Sequence, residues 1–335
     1  MAHLNSPLRI KNMELANRLV MPPMATTKAS ADGAVTQALC DYYAEKARGG
    51  YVGLVITEHS FIAQQGKAHA GQVSIASDEA VPGFAQLAES IHAQGAKAIA
   101  QISHAGAAAK AAVTGCEVIG PSAVRLPRAS AEEPLPRAMT TEDMDKVVAD
   151  FAAAALRVKR AGFDGVEIHS AHSYLLNQFY SPLTNHRDDE YGGSLENRVR
   201  LHVRVIRAVR EAVGEDYVVA LRLGACDYME GGSTREDGAA AAVIFEREGV
   251  DLLDVSGGLC SYVRPGVKEQ GYFGELTEAM RARVSVPVLL TGGVTEARAA
   301  DALLAKADLI GVGRAILKDS QWAEQAMKTI EDWTA

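Results

Sequence analysis

The segment Glu167-Ile168-His169-Ser170-Ala171-His172-Ser173-Tyr174 sets two imidazoles three residues apart and a phenol two residues further on. Where a strand passes into a loop or helix turn, His169 and His172 can converge on one oxygen. Tyr174 brings a phenol of pKa about 10 alongside. Such a set can polarise a carbonyl and deliver a proton. A zinc pair is a second reading, but no third His, Cys or carboxylate stands at convincing ligand spacing, and a satisfied structural pair is the plain alternative.

Arg222 lies inside the apolar run VVALRLGA (218–225), where a lone buried guanidinium is costly. Glu167, of inward parity on a neighbouring strand, is one candidate partner; a cofactor that becomes negative during turnover is the other explanation. Gln101 ends a further apolar run, and its amide suits the edge of a heterocycle with alternating N–H and C=O groups. Glu58 is a candidate for the same ring edge or for a polyol hydroxyl, with a buried structural carboxylate as the alternative. His104 lies either at the mouth of the site or on a surface loop. Thr291-Gly292-Gly293 and Gly311-Val312-Gly313-Arg314 end two successive apolar runs. Glycines there let backbone N–H groups approach a phosphate, to which Arg314 adds a charge-assisted bond, although glycine also closes tight turns without a ligand.

The elements that must position these residues are short apolar runs alternating with stretches of helical period. The runs are residues 19–25, 52–58, 96–103, 165–170, 218–225, 251–258, 286–293 and 307–314; the amphipathic stretches are 37–48, 83–93, 142–161, 195–212, 235–248 and 296–304. Strands this apolar belong in a parallel sheet covered by helices. Eight of them with crossover helices predict a (β/α)8 TIM barrel, with an open doubly wound sheet as the competitor. The absence of GxGxxG at the first strand–helix turn weakens that competitor. Residues 105–141 and 171–193, after the third and fourth strands, exceed ordinary connections and would sit on the active-site face. A single domain, 1–335, is expected, with residues 1–18 as a plug over the barrel bottom.

Composition sets the outer bounds. Of 335 residues, 48% are hydrophobic and 23% charged, which is globular. A net charge of −8 argues against nucleic acid or an anionic membrane as partner. The N-terminus lacks an apolar leader and no 18-residue apolar run occurs, so a soluble, cytoplasmic protein is expected. The four cysteines, Cys40, Cys116, Cys226 and Cys260, are too few and too scattered for a disulfide framework or metal motif, and ordinary thiols are expected.

NRLVMPPMA (17–25), QISHAG (101–106), HSAHSYLLNQFYSPLTNHRDDEYGGSLENR (169–198), Arg222 and GVGRAIL (311–317) together resemble the NADH:flavin oxidoreductase / old yellow enzyme family, in order and across essentially the whole chain. The sequence resembles the single-domain, ene-reductase-like branch more than the branch with a cysteine-rich iron–sulfur segment after the barrel, and no such segment is expected. The resemblance implies FMN held non-covalently at the barrel mouth. Pro23, Met24 and Ala25 would lie against the ring, Gln101 at its pyrimidine edge and Arg222 on its N1/O2 side, with Glu58 as a further cofactor contact. Gly292, Gly293, Gly313 and Arg314 would hold the phosphate. His169 and His172 would grip the carbonyl oxygen of the substrate, and Tyr174 would be the proton donor. NADH or NADPH would reduce the flavin, and an α,β-unsaturated carbonyl compound, an enone or enal, would reoxidise it at the same site.

Some positions depart from the pattern. Ala25 stands where relatives often have Cys or Thr, which is expected to make the flavin a less willing electron acceptor. Thr27 stands where some relatives have a tyrosine, giving a more open substrate side. Ala107 stands where many have arginine, and residues 331–335 lack the arginine that some relatives insert into a neighbouring subunit, so a homo-oligomer is possible but of unread type. A flavin enzyme working oxidatively, as a dehydrogenase or demethylase, and a cofactor-free phosphate-binding lyase are the competing functions; the second would want a Schiff-base lysine or paired carboxylates at strand ends.

Overall fold

The eight apolar runs form eight parallel strands in the computed structural model, which describes residues 2–334; the chain end read at Ala335 lies outside them. The strands are β1 (Leu19–Met21), β2 (Leu54–Phe61), β3 (Lys97–Ser103), β4 (Gly165–Ser170), β5 (Val218–Cys226), β6 (Leu252–Gly257), β7 (Val288–Thr291) and β8 (Leu309–Gly311). Each pairs in parallel with its sequence neighbour and β8 pairs with β1, so the sheet closes. The predicted (β/α)8 barrel is borne out.

Two buried layers hold it. Outside the strands, helices such as Thr141–Arg160 and Arg235–Arg247 pack their apolar faces on the sheet. Both start at a capping box, Thr140 with Asp143 and Thr234 with Asp237, which satisfies the first free backbone N–H groups and fixes where each helix begins. Inside, Val20, Leu54, Ile56, Ile99, Val218, Leu252, Leu289 and Leu309 form a second apolar cluster. Ile10, Met13 and Leu15, from an antiparallel hairpin of Leu8–Ile10 with Met13–Leu15, join that cluster. The lower half of the barrel is therefore filled with hydrocarbon and only the upper half is free to be polar.

The predicted helix over 195–212 is two helices, Leu195–Arg198 and Arg200–Val213. The short helices Leu175–Tyr180, Gly274–Arg281 and Arg314–Lys318 and the C-terminal Trp322–Thr334 go beyond the amphipathic stretches read from sequence. Leu175–Tyr180 is buried on every side, so it has no polar face to betray it. Among the described residues no helix is long and apolar enough to cross a membrane.

Candidate active site

Residues at the carboxyl ends of the strands enclose a cavity of about 420 Å³, within the range of small-molecule sites. Pro22, Pro23, Met24 and Ala25, just beyond β1, form one wall with few side-chain polar atoms. Register places Gln101 beside Glu167 and His169 beside Arg222, with Arg222 beside Asp254 on β6. Gln101, His169 and Arg222 thereby face the cavity from three adjacent strands. Gly293, Gly311, Gly313 and Arg314 line its far end.

The imidazole pair and the phenol do meet. The His169 ring lies 5.2 Å from His172 and 4.9 Å from Tyr174, centre to centre and nearly perpendicular to both. His172 and Ser173 both adopt left-handed backbone conformations, with φ of 58° and 66°. Two such residues in succession cost about 1–3 kcal/mol each. Asn177 Oδ1 accepts from the Ser173 N–H at 2.8 Å, Gln178 Nε2 donates to the Ser173 carbonyl at 2.6 Å, and Ser256 Oγ pairs with His172 Nε2 at 2.8 Å. The loop is thus clamped in a shape that turns His172 back over the barrel.

Burial sets the charge states. It holds His169 and His172 well below the usual imidazole range, and the Arg222 charge adds to this, so both are neutral donors near pH 7. Burial pushes the Tyr174 phenol up to about 12, so it keeps its proton. Below the cavity, Arg222 Nε sits 3.1 Å from Asp254 Oδ2 without hydrogen-bond alignment. Burial raises both the Asp254 and the Glu167 carboxyl, and Arg222 pulls each back; Glu167 is driven well up, further by repulsion from Asp254.

The partner of Arg222 is therefore Asp254, not Glu167, whose carboxylate instead accepts from Gln101 Nε2 at 2.6 Å. Glu58 does not line the cavity. Its carboxylate accepts from the backbone N–H and the hydroxyl of Thr26, the latter at 2.9 Å. The cause is a bulge: Thr57 pairs with Ala100 and Ser60 with Ile102, so two residues of β2 oppose Gln101. One of them, His59, faces the cavity in the place that strict alternation along β2 would give to Glu58. Thr27 is exposed, with φ of 57° and its hydroxyl on the Thr26 carbonyl, and does not line the cavity. Gly292 does not line it either; its carbonyl accepts from Gly271 N–H. His104 is neither at the mouth nor on the surface: it is buried, and its Nδ1 accepts from the Gly106 N–H.

Ser261, Tyr262 and Tyr272 complete the mouth. They come from the connection after β6, which carried no motif, although its sixteen residues, 258–273, are long enough to have drawn attention. Thr291 Oγ1 approaches Asp254 Oδ1 at 3.5 Å.

Comparison with known proteins agrees with this geometry. The family model described as the NADH:flavin oxidoreductase / NADH oxidase family matches residues 3–332. A protein named NADH oxidase, from Thermoanaerobacter brockii, is 41% identical over 332 residues, covering 97% of this chain and 50% of that protein. An NADPH dehydrogenase from Listeria innocua serovar 6a is 37% identical over 333 residues, covering 98% of this chain and 96% of the relative. The chain thus spans about half the length of the first of these relatives and nearly all of the second. A solved structure of morphinone reductase in complex with tetrahydroNAD has a TM-score of 0.85 at 28% identity, covering 98% of this chain and 92% of that one.

Proposed function

The chain belongs to the NADH:flavin oxidoreductase / NADH oxidase family, and from that premise we propose that it is an FMN-dependent ene reductase acting on α,β-unsaturated carbonyl compounds. The residues present fit that cofactor. The wall at 22–25 can lie against a planar ring, and Gln101 and Arg222 bring an amide and a guanidinium to its edge. At the far end, a Cβ on Gly293 would come within 2.6 Å of the Tyr272 ring, and one on Gly313 within 3.0 Å of Met24 Sδ. Gly293 also has a φ of 68°, so glycine there leaves the backbone bare, as a phosphate cradle needs. Arg314, whose Nη2 donates to the Tyr272 hydroxyl at 3.3 Å, would hold the phosphate with Gly293 and Gly313.

When bound, FMN would supply a two-electron carrier between NADH or NADPH and the β-carbon of an activated alkene. The protein supplies the rest. His169 and His172 bind the carbonyl oxygen as neutral donors and draw density from the double bond. Tyr174 gives its proton to the α-carbon; a phenol held above its ordinary pKa does so only to a strongly basic centre, so it stays protonated until the substrate demands it. Arg222 places a fixed positive charge where negative charge gathers on reduction, while Asp254 moderates it. One cavity serves both the reductant and the alkene, so ping-pong kinetics follow.

The observation that carries this reading is the meeting of two neutral imidazoles with one protonated phenol in the cavity. Tyr174→Phe tests it by transient kinetics of the separate half-reactions. Reduction by NAD(P)H should hold within about twofold, while reoxidation by 2-cyclohexen-1-one should fall by about 10²–10⁴. Equal slowing of both half-reactions would overturn the assignment of Tyr174.

A further inference from the structure

A third imidazole shares the cavity with the pair already described. His59 is 8% exposed and lines the wall between Gln101 and Tyr174. Its ring centre is 5.1 Å from that of Tyr174 and 6.0 Å from that of His169.

Its tautomer can be read from its neighbours. Gln72 Oε1 accepts from the Ala68 N–H at 2.7 Å, and Gln72 Nε2 donates to the His59 carbonyl at 3.1 Å. These two backbone bonds fix which end of the amide is nitrogen. The same Nε2 lies 2.8 Å from His59 Nδ1, which must then accept. Ser103 Oγ stands 3.4 Å from the same nitrogen. A neutral ring that accepts at Nδ1 carries its proton on Nε2. Burial keeps the ring neutral, holding it down to about 3, so protonation does not undo the arrangement near pH 7. With Nδ1 occupied by a donor, the ring cannot pass a proton through itself, and a relay to Tyr174 is excluded on these bonds.

The hydrogen bonds of His59 among the described residues are made at Nδ1 and at its carbonyl, so Nε2–H remains available on a ring that lines the cavity. A donor on a ring this buried is free to bind an acceptor that enters the cavity, and its contact with Tyr174 is one of tilted rings. The His169 ring is also a neighbour of Tyr174, so the pair that would bind the first oxygen stands beside the same phenol.

We propose that His59 is a specificity-determining residue whose Nε2–H binds a second oxygen on the substrate, so that an alkene flanked by two carbonyl groups, an enedione, is preferred over a simple enone. This rests on the ene-reductase reading for its substrate class. The second oxygen also withdraws density from the double bond, and the fixed donor strengthens that effect without a change in protonation.

The test uses the FMN-loaded protein and two ring-matched pairs. Turnover compares 2-cyclohexene-1,4-dione with 2-cyclohexen-1-one. Binding compares 1,4-cyclohexanedione with cyclohexanone, through the change each makes in the absorbance of bound flavin. The unmodified protein should favour the dicarbonyl member of each pair, after correction for intrinsic reactivity by the ratio found in the variants. His59→Phe keeps a ring but removes the donor, and should lower both ratios about tenfold, the scale of one buried hydrogen bond. His59→Asn, which restores an N–H, should recover part of the loss. Ratios that are the same in all three proteins would overturn the proposal, as would a loss of flavin alone. Because the binding pair needs no turnover, preferential binding that depends on His59 without reduction of either alkene would uphold the residue's assignment and overturn the ene-reductase reading instead.

Discussion

The chemistry of single residues here turns on which nitrogen carries a proton. His172 Nε2 is engaged by Ser256, so Nδ1 is the edge it can offer to a substrate. Ser256 touches nothing that reacts, and it positions the imidazole from the next strand but one. Ser256→Ala should therefore lower kcat/KM for an enone about three- to tenfold, the net value of one neutral hydrogen bond. The charge-transfer or absorbance change on binding a phenolic ligand should weaken in parallel. Unchanged values for both would show that the left-handed backbone at His172 and Ser173 holds the ring without help. Arg222 teaches a related lesson. Its buried charge was legible in an apolar run, but its partner was not, because Asp254 comes from β6 and Glu167 from β4, and residue parity alone admits either.

Strand ends set the shape of the site. Gly293, with φ of 68° and the Tyr272 ring in the way of any side chain, requires glycine twice over, for backbone conformation and for space. Gly293→Ala should weaken FMN binding at least tenfold, measured by fluorescence of flavin released on dilution. Retention equal to the unmodified protein would place the phosphate elsewhere. All eight strands were legible because buried parallel strands must be continuously apolar, and the loop after β4 was legible because its polar and aromatic residues had no structural excuse. The bulge in β2 was not. A one-residue insertion leaves the apolar pattern intact while it turns His59 to the cavity and Glu58 away from it, so nothing in the sequence singled out the imidazole, and Glu58 proves to be the buried structural carboxylate that was its alternative reading. Thr27 was named from the family pattern alone, and its left-handed backbone leaves the side chain exposed with the hydroxyl on the Thr26 carbonyl. Tyr262 and Tyr272 lie on a connection whose sequence carries no catalytic spacing, and only closure of the barrel brings them over the mouth.

At the scale of the whole molecule, five imidazoles, those of His59, His104, His169, His172 and His202, are held neutral by burial. Their pKa values are lower folded than unfolded, so the unfolded chain takes up protons first as pH falls below about 6.5 and the fold loses stability. The raised carboxyls of Glu58, Glu167 and Asp254 act in the opposite sense, gaining stability as pH falls through their folded values, but they are fewer. Thermal melts should therefore show a lower Tm at pH 5 than at pH 7, and an equal or higher Tm at pH 5 would contradict these charge states. The larger organisation is a barrel divided by height. Hydrocarbon fills its lower interior, and a cavity with an apolar wall and a few convergent polar side chains caps it, in which flavin and substrate would share one space. The most direct test of that sharing is the visible spectrum of the purified protein followed without oxygen through one cycle. It should be yellow with releasable FMN, bleach on NADH or NADPH, and regain its full absorbance on addition of one equivalent of 2-cyclohexen-1-one. A protein that takes up no FMN, or one that bleaches and stays bleached in the presence of the alkene, would contradict the account.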